Sequence, residues 1–325
     1  MLIPAKKVFD LMNEYGSQHK PFLFGIDFDV KNGFFFEPAK AENSGILYNI
    51  NGFGNSADRV ISGKPVTIAK KPVAKHVYDE AFGIVYRNLL AGNTYLTNLT
   101  FPTPIHINAS LHEIFARSKA RYRLLFGDQF VVFSPEIFVQ INNGKISSFP
   151  MKGTIDASIP GAEEKIMNDA KETAEHYTIV DLIRNDLSMV ATDVQVERFR
   201  YIEKIVTHEK TLLQVSSRIS GTLPLTYQAE LGTIFEKLLP AGSISGAPKN
   251  KTLQIIRDAE NFSRGFYTGV FGYFNGSTLD SGVMIRFIHN ENGKLIFCSG
   301  GGITINSNPS AEYNELIDKV YVPFI

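Results

Sequence analysis

The chain has 325 residues, a formal net charge of zero and a single cysteine. Apolar residues make up 44% and charged residues 20%, which is the composition of an ordinary globular protein and excludes a disordered or low-complexity chain. Because there is no excess of positive charge and no basic stripe, the sequence predicts no nucleic-acid partner.

The apolar patterning also bears on the compartment. A bilayer-spanning helix needs about 20 consecutive apolar residues, and no window of the sequence approaches that length. The N-terminal residues carry charges where a signal peptide needs an apolar stretch. Cys298 has no partner for an internal disulfide and lies in an apolar run, which predicts a buried thiol in a reducing compartment. We therefore expect a cytoplasmic protein without a membrane segment.

The predicted elements begin with two aromatic runs in residues 22–36 around Lys31-Asn32-Gly33, which indicate a hairpin. Helices are predicted at residues 78–90, from about 163 to 187, from near Pro248 with Ser245 as its cap, and at 310–320. Strands are predicted at residues 95–99, 122–126, 130–133, 138–141, 267–274, 282–289 and 294–299. The strands come in clusters rather than in alternation with helices, which favours an α+β fold with antiparallel sheets.

Two pairs of glutamates are the first candidates for chemistry. Glu172 and Glu175 are three residues apart in one predicted helix, and Glu312 and Glu315 are three apart in another. Residues at that spacing share a helix face, so each pair directs two carboxylates at one place. If the two helices meet, they form an all-oxygen site that suits Mg²⁺. The alternative is a solvated acidic face, and the spacing alone leaves both open.

Glycine-rich segments are candidates for anion binding. Residues 300–302 are three glycines after an apolar strand, where backbone amides can converge on an anion or simply form a tight turn. Residues 241–249 have the pattern of a loop that enters a helix, whose first turn attracts anions. The Gly-Lys-Ser/Thr ending of a phosphate-binding loop is absent, so a nucleotide site is not indicated.

Four single residues also need an account. Lys152 follows a predicted strand, and as a nucleophile it would need a pKa well below its usual value of ~10.4; otherwise it is an exposed or salt-bridged lysine. His208 and Arg286 lie in apolar strand-like runs, where a polar group must find a partner. His208 is a candidate general acid or a satisfied core histidine, and Arg286 binds a carboxylate or forms a structural ion pair. Lys319 alone has the pattern of a surface lysine.

Taken together, these segments resemble the chorismate-utilising enzyme family. That family includes anthranilate synthase component I, aminodeoxychorismate synthase component I, isochorismate synthase and salicylate synthase. The resemblance covers about residues 76–320, and its blocks occur in the family's order. The matching blocks are Pro-Met-Lys-Gly-Thr at 150–154, Lys-Glu-Thr-Ala-Glu-His at 171–176, Asp-Leu-Ile-Arg-Asn-Asp-Leu at 181–187, residues 239–249, Arg-Gly-Phe-Tyr-Thr-Gly at 264–269, Ile-Arg at 285–286, and residues 300–315.

The resemblance implies a single α+β domain of two facing antiparallel sheets flanked by helices. Residues 1–75 would be strands and a loop integrated into that fold, and residues 76–325 the chorismate-binding catalytic core. Pro-x-Lys-Gly-Thr is similar to the aminodeoxychorismate synthase branch, because the other branches usually carry alanine at the position of Lys152. The implied enzyme makes 4-amino-4-deoxychorismate from chorismate and ammonia, on the route to 4-aminobenzoate and folate.

The same resemblance implies a cofactor, a partner and residue roles. Mg²⁺ is the cofactor, and a glutamine amidotransferase subunit supplies the ammonia. Lys152 would attack ring carbon C2, with His208 beside the leaving hydroxyl, and a metal and a cationic pocket would depress the pKa of the lysine. The metal ligands, direct or through water, would be Glu172, Glu175, Glu312 and Glu315. The substrate-binding residues would be Arg286, Tyr267, Thr154, Gly300, Gly302 and Lys319.

One departure from the branch pattern concerns Leu96. Members of this branch usually read Tyr-Gln-Val-Asn-Leu where this chain has Tyr-Leu-Thr-Asn-Leu at 95–99. Isochorismate-forming members place a lysine base at that position, so Leu96 argues against activation of water. The alternatives that remain are anthranilate synthase component I and, in a different class, a non-catalytic subunit that binds chorismate or an amidotransferase.

Overall fold

The computed structural model describes residues 2–56, 65–206 and 211–323 and consists of two antiparallel sheets with helices on their outer faces. The helices are Ala5–Ser17 (α1), Pro38–Ala41 (α2), Lys75–Leu90 (α3), Leu111–Arg117 (α4), Ala162–Asn168 (α5), Ala170–Ser188 (α6), Leu231–Leu238 (α7), Gly242–Ser245 (α8), Lys249–Ala259 (α9) and Pro309–Asp318 (α10). No helix in the described ranges is long and apolar enough to cross a bilayer.

The strands contribute to both sheets along the whole chain. They are Ile3–Pro4 (β1), Phe22–Ile26 (β2), Asn32–Phe36 (β3), Ile46–Ile50 (β4), Phe53–Gly54 (β5), Ile68–Lys70 (β6), Leu96–Ile107 (β7), Tyr122–Phe126 (β8), Phe130–Ser134 (β9), Ile137–Asn142 (β10), Lys145–Ser148 (β11), Met151–Asp156 (β12), Thr192–Val206 (β13), Thr211–Thr222 (β14), Gly246–Ala247 (β15), Val270–Phe274 (β16), Leu279–Val283 (β17), Phe287–Glu291 (β18) and Lys294–Ile303 (β19).

The first sheet has the strand order β1-β3-β2-β16-β17-β10-β11-β14-β12, and β13 also pairs with β14. The second has the order β15-β7-β19-β18-β9-β8-β4-β5, and β6 also pairs with β7. Strand β2, near the start of the chain, pairs with β16, which is more than 240 residues later. The N-terminal residues are therefore part of the same fold, whereas the division at residues 75 and 76 stays a prediction.

Both faces of the central strands are buried. Along β9, Phe130 and Val132 pack between the two sheets, while Val131 and Phe133 pack under α4 on the outer face. Because neighbouring side chains point to opposite faces of a strand, a strand covered on both sides needs apolar residues at every position. The unbroken apolar runs in the sequence are explained by this four-layer arrangement of helices, sheet, sheet and helices.

Two predicted elements differ from the structure, and an aspartate lies at each difference, Asp27 in the first and Asp169 in the second. The predicted hairpin turn is displaced, since the loop lies at residues 27–31 and Gly33 already pairs with Ile26 in the ladder. The Asp27 carboxylate accepts hydrogen bonds from the amides of Lys31 and Asn32 at 2.7 and 3.1 Å and closes that loop. The predicted helix over 163–187 is two helices, α5 and α6, divided at Asp169.

The caps of α6 and α9 and the end of β17 also bear on the predicted elements. Asp169 caps α6 by accepting from the amide of Glu172 at 2.8 Å. Ser245 does not cap α9: its hydroxyl donates to the carbonyl of Ala241 at 3.0 Å, and Pro248 occupies the cap position. The predicted strand over 282–289 is also wrong, because the chain leaves the first sheet after β17 and enters the second at β18. Arg286 lies in that crossing, at a φ of +52°.

A buried ion pair connects the second sheet to the helices around it. Glu260 and Arg264 have side chains only 2% and 1% exposed, and their atoms approach to 2.6 Å. Glu260 also accepts from the amide and hydroxyl of Thr100 at 2.9 and 3.0 Å. Arg264 donates to the carbonyls of Ile244 and Asn98 at 3.3 and 2.7 Å. One ion pair therefore holds β7, α8 and the segment after α9 in register.

Replacing Glu260 by glutamine leaves the Arg264 charge buried without its counter-charge, which typically costs about 3–5 kcal/mol. We expect Glu260→Gln to lower the free energy of unfolding in urea by that amount. The matched control is Arg257→Gln, because Arg257 is 62% exposed in its 3.3 Å contact with Asp29 and should change stability by less than about 1 kcal/mol. A loss below 1 kcal/mol for Glu260→Gln would contradict the structural role of the pair.

Candidate active site

A cavity of about 510 Å³ opens between the two sheets and is walled by α6 and α10. Every predicted site residue that the structure describes lines this cavity, and His208 lies outside the described residues. Distant parts of the chain therefore converge there, and the roles of these residues stay predictions. These lining residues are Lys152, Thr154, Glu172, Glu175, Tyr267, Arg286, Gly300, Gly302, Glu312, Glu315 and Lys319.

One wall of the cavity carries the α6 glutamates and the lysine of β12. The Lys152 Nζ atom contacts Oε2 of Glu175, which is 6% exposed, and the lysine side chain itself is 28% exposed. Glu172 lies beside them, because its Oε2 would be 3.4 Å from a Cβ added at Gly153. Gly153 has a φ of +77°, which a residue with a side chain rarely adopts. Glycine at this position lets the strand bring Lys152 up to the helix.

The opposite wall carries the α10 glutamates and Lys319. The Lys319 Nζ atom lies 2.7 Å from Oε1 of Glu315 and donates to the carbonyl of Gly300 at 2.9 Å. Glu312 accepts from the Ser307 hydroxyl at 2.8 Å. A Cβ added at Gly301 would lie 3.6 Å from both Glu312 Oε2 and Lys319 Nζ, and 3.9 Å from Glu315 Oε1. The helix therefore brings these three side chains to one point on β19.

The glycine run is part of a strand, and not a separate segment in which amides converge or a tight turn forms. Gly300, Gly301 and Gly302 belong to β19 and pair in succession with Thr100, Leu99 and Asn98 of β7. A Cβ at Gly300 would come within 2.5 Å of Thr100, and one at Gly302 would lie 3.0 Å from Leu96 and 3.9 Å from Lys152 Nζ. The glycines form the cavity floor because any side chain there would collide with a wall or fill the site.

The electrostatic state of Lys152 differs from the expectation of a depressed pKa. Burial by itself lowers the pKa of the ammonium, but the carboxylates of Glu175, Glu172 and Glu315 outweigh it. The net effect raises the pKa of Lys152 above its ordinary value. In this arrangement the lysine is a charged partner of the acids, and it becomes a neutral amine only if those carboxylates are engaged by another positive charge.

Arg286 is held at the cavity by neutral partners. Its Nη1 donates to the carbonyl of Lys319 at 2.9 Å, and its guanidinium lies 4.7 Å from the ring centroid of Tyr321. A carbonyl and an aromatic face orient the guanidinium without cancelling its charge, so the group retains its attraction for an anion. Tyr267 lines the cavity nearby and is 3% exposed, and burial raises the pKa of its hydroxyl, which stays protonated.

Sequence reasoning did not assign Glu136, which also lines the cavity. Desolvation raises the pKa of the Glu136 carboxyl, against the opposing effect of a 2.8 Å hydrogen bond from the Ser243 hydroxyl. A carboxyl with a raised pKa in a cavity is a candidate proton donor. In the sequence, Glu136 stands directly before the apolar strand β10. A carboxylate at such a position needs a partner or a cavity, and this is the signal that could have identified it.

The cavity offers an oxygen-rich donor set for a metal ion. Among the described residues, no three Asp, Glu, His or Cys side chains are arranged to hold an ion by themselves. Two of the four carboxylates contact Lys152 and Lys319 instead. Carboxylate oxygens suit Mg²⁺, which usually keeps several waters and needs few direct protein ligands. The residues therefore fit a water-rich Mg²⁺ site better than a closed metal cage.

The family model for chorismate binding enzymes matches residues 51–324 of the chain. This protein is therefore a member of the chorismate binding enzyme family. An uncharacterised PabA-like protein of Pasteurella multocida is 50% identical over 312 residues, which make up 96% of each chain. The fold also matches the menaquinone-specific isochorismate synthase of Escherichia coli, with a TM-score of 0.74 at 17% identity over 97% of this chain and 80% of that one.

Two relatives with named activities match a shorter part of their own length. Aminodeoxychorismate synthase component 1 of Salmonella typhimurium is 31% identical over 258 residues, 75% of this chain and 56% of that one. Anthranilate synthase component 1 of Pseudomonas aeruginosa is 32% identical over 258 residues, 74% of this chain and 51% of that one. The chain spans about half the length of these two proteins. Its sequence identity to them is nearly the same, at 31% and 32%, and does not distinguish between their two activities.

A histidine behind the α6 wall makes stability depend on pH. His176 is 1% exposed, and its Nε2 lies 2.7 Å from the Ser217 hydroxyl. Burial, with the nearby charges of Arg200 and Lys152, lowers the pKa of His176 from 6.5 to about 4. In the unfolded chain His176 is therefore protonated below about pH 6.5, whereas in the folded protein it is protonated only below about pH 4.

We expect the free energy of unfolding to fall as the pH decreases from 6.5 to about 4, by up to about 1.4 kcal/mol per pH unit from this group. Urea unfolding at several pH values measures the slope, and His176→Gln should make it shallower. His112→Gln is the control, because His112 is exposed on α4. An unchanged slope in His176→Gln would show that another group is responsible.

Proposed function

We propose that this protein is the chorismate-aminating subunit, component I, of an aminodeoxychorismate synthase. The observation that carries the proposal is the amine of Lys152, which lies inside the cavity against Glu175 and on the Pro-x-Lys-Gly-Thr sequence of that branch. Family members that lack this activity usually have alanine there. Lys152 is the amine that the cavity can present to the substrate once a cation engages the carboxylates around it.

The charges of the cavity suit an anion with two carboxylates, such as chorismate. Arg286 and Lys319 supply fixed positive charge on one side. Glu172, Glu175, Glu312 and Glu315 would hold Mg²⁺, which supplies the charge needed to bind a carboxylate among four acids. The buried hydroxyl of Tyr267 and the side chain of Thr154 complete the wall against which the ring would lie. The substrate carboxylates would thus neutralise the cationic side chains, and the metal cation would neutralise the glutamates.

The proposed reaction has two substitution steps. The Lys152 nitrogen forms a bond to ring carbon C2, the two conjugated double bonds of the ring both shift by one position, and the C4–O bond breaks as the hydroxyl takes a proton and leaves as water. Ammonia then adds at C4 and loses a proton, the two double bonds shift back, and the C2–N bond breaks to release Lys152. The net change is chorismate plus ammonia to 4-amino-4-deoxychorismate plus water. Glu136, with its raised pKa, is the proton donor that the described cavity offers.

Product identification tests the proposal and separates the alternatives. The purified chain is incubated with chorismate, Mg²⁺ and a high concentration of ammonium, so that no amidotransferase subunit is needed. We expect 4-amino-4-deoxychorismate without pyruvate, measured by chromatography and mass. Anthranilate together with released pyruvate would favour the anthranilate synthase alternative. Absence of any product would favour a non-catalytic subunit that binds chorismate or an amidotransferase.

Lys152→Ala should lose most of the amination, with kcat reduced by about 10³-fold or more, because the covalent step has no nucleophile. Binding of Mg²⁺, measured by calorimetry, should be retained since the four carboxylates remain. Lys152→Arg is the matched control: it keeps a positive charge beside Glu175 but never becomes a neutral amine. If the lysine is only an ionic partner, Lys152→Arg stays active, and the covalent mechanism is then wrong.

A further inference from the structure

The sequence blocks at 181–187 and 239–249 meet behind the cavity in a second ion pair. Asp186 near the end of α6 and Lys249 at the start of α9 approach to 3.1 Å, and their side chains are 11% and 19% exposed. Lys249 also donates to the carbonyl of Leu238 at 2.9 Å. Neither charged residue is among the described residues that line the cavity. The proposed reaction therefore does not use them directly.

Asp186 connects α6 to the short helix α8. Its carboxylate accepts a hydrogen bond from the backbone amide of Gly242, the first residue of α8. A Cβ added at Gly242 would lie 2.6 Å from Oδ2 of Asp186 and 3.1 Å from Leu182. A side chain there would push α8 away from α6, so glycine permits the close approach. Asp186 thus anchors the beginning of α8, and Lys249 holds its carboxylate in place.

The next residue of α8 contacts the proposed proton donor. The Ser243 hydroxyl donates to Oε1 of Glu136 at 2.8 Å, and both residues line the cavity. The other carboxyl oxygen, Oε2, makes no hydrogen bond to the residues that the structure describes. Because Oε1 is engaged as an acceptor, the acid proton belongs on Oε2, the oxygen available to a bound molecule.

The backbone of Glu136 is fixed where the chain crosses from β9 to β10. Its amide donates to the Ser134 hydroxyl at 3.1 Å, and its carbonyl accepts from the amide of Val283 at 3.1 Å. These bonds hold the main chain but do not fix the side-chain torsions of the carboxyl group. The Ser243 hydroxyl therefore sets the direction of the carboxyl, and its own position depends on α8.

We propose that Asp186 is a positioning residue for the proton donor Glu136 and acts through α8 and the Ser243 hydroxyl, an inference that rests on the proposed function. The hydroxyl stabilises the ionised carboxylate and so lowers the pKa of Glu136 against the larger effect of desolvation. Lys319 after α10 and Lys152 of β12 act on it in the same direction. If α8 moves away, the pKa of the Glu136 carboxyl rises further and its proton is no longer directed into the cavity.

The test compares two double variants that differ only in the acceptor for the Gly242 amide. Asp186→Leu with Lys249→Met replaces the ion pair by apolar side chains, an exchange that proteins often tolerate. Asp186→Asn with Lys249→Met also removes both charges but keeps an oxygen for the amide. We expect the Leu/Met variant to lower kcat/KM for chorismate by about 3- to 10-fold, the value of one hydrogen bond, and the Asn/Met variant to restore it to within about twofold of wild type.

The pH profile is a readout that a purely structural loss would not move. A proton donor acts when protonated, so activity falls as the pH rises through its pKa. Ser243→Ala raises that pKa, because the carboxylate loses a donor, and should move the alkaline limb of kcat/KM to higher pH at a constant concentration of free ammonia. The Leu/Met variant should move it in the same direction, and adding Ser243→Ala to that variant should give no further shift.

Asp280→Asn is the control for a general loss of stability. Asp280 accepts from the Tyr122 hydroxyl at 2.6 Å and is not among the described residues that line the cavity. Its replacement should lower the melting temperature and leave the alkaline limb in place.

A second measurement does not depend on turnover. Infrared difference spectra follow the protonated carboxyl, and the signal that disappears in Glu136→Gln assigns it. We expect the pKa of this group to be higher in Ser243→Ala and in the Leu/Met variant than in the wild-type protein and the Asn/Met variant. If these shifts occur but wild-type protein forms no aminated product, the proposed function fails and the positioning role of Asp186 stands.

Three outcomes would overturn the inference. The first is an alkaline limb that stays at the wild-type pH in Ser243→Ala or in the Leu/Met variant. The second is a further shift when these changes are combined, since Asp186 and Ser243 would then act separately. The third is failure of the Leu/Met variant to fold, which would make Asp186 a residue of the fold alone.

Discussion

The buried pair of Glu260 and Arg264 is the constraint on which the rest of the cavity wall depends. Neither charge is stable in the interior alone, so the two must stay together and satisfy their remaining atoms nearby. They do so on the backbone of β7 and α8, at Thr100, Asn98 and Ile244. Because Asn98 and Ile244 also line the cavity, a structural ion pair outside the site sets the position of its floor.

Inside the cavity, opposite charges alternate. Lys152 contacts Glu175 of α6, and Lys319 contacts Glu315 one helical turn before it, beside the glycines of β19. In a low-dielectric space each charge is tolerated only because the other is present, and this balance raises the pKa of Lys152. An anionic substrate competes for Lys319 and Arg286, while a cation competes for the acids. Binding of either one therefore changes the electrostatic free energy of binding for the other.

Much of the fold was predictable wherever the signal is local. The helix over 78–90, the strand over 122–126 and the helix over 310–320 are confirmed within a few residues, because their apolar period and end signals lie within each segment. The errors fall where one polar side chain within a segment, or a neighbour from another strand, overrides the local pattern. Asp169 interrupts what reads as one helix, and the glycines of 300–302 read as a turn because the approach of Thr100 is invisible in the sequence.

For the site, the sequence by itself determined which residue types are present: two carboxylate pairs at helical spacing, a lysine after a strand, and the blocks that identify the family. Only the tertiary structure decided that α6 and α10 meet at one cavity, that Glu136 and Asn98 join them, and that Lys152 is paired with Glu175. The reason is physical. Spacing along a helix fixes neighbours three residues apart, whereas residues 140 positions apart are brought together by sheet pairing and burial, and the sign of a pKa shift depends on those neighbours.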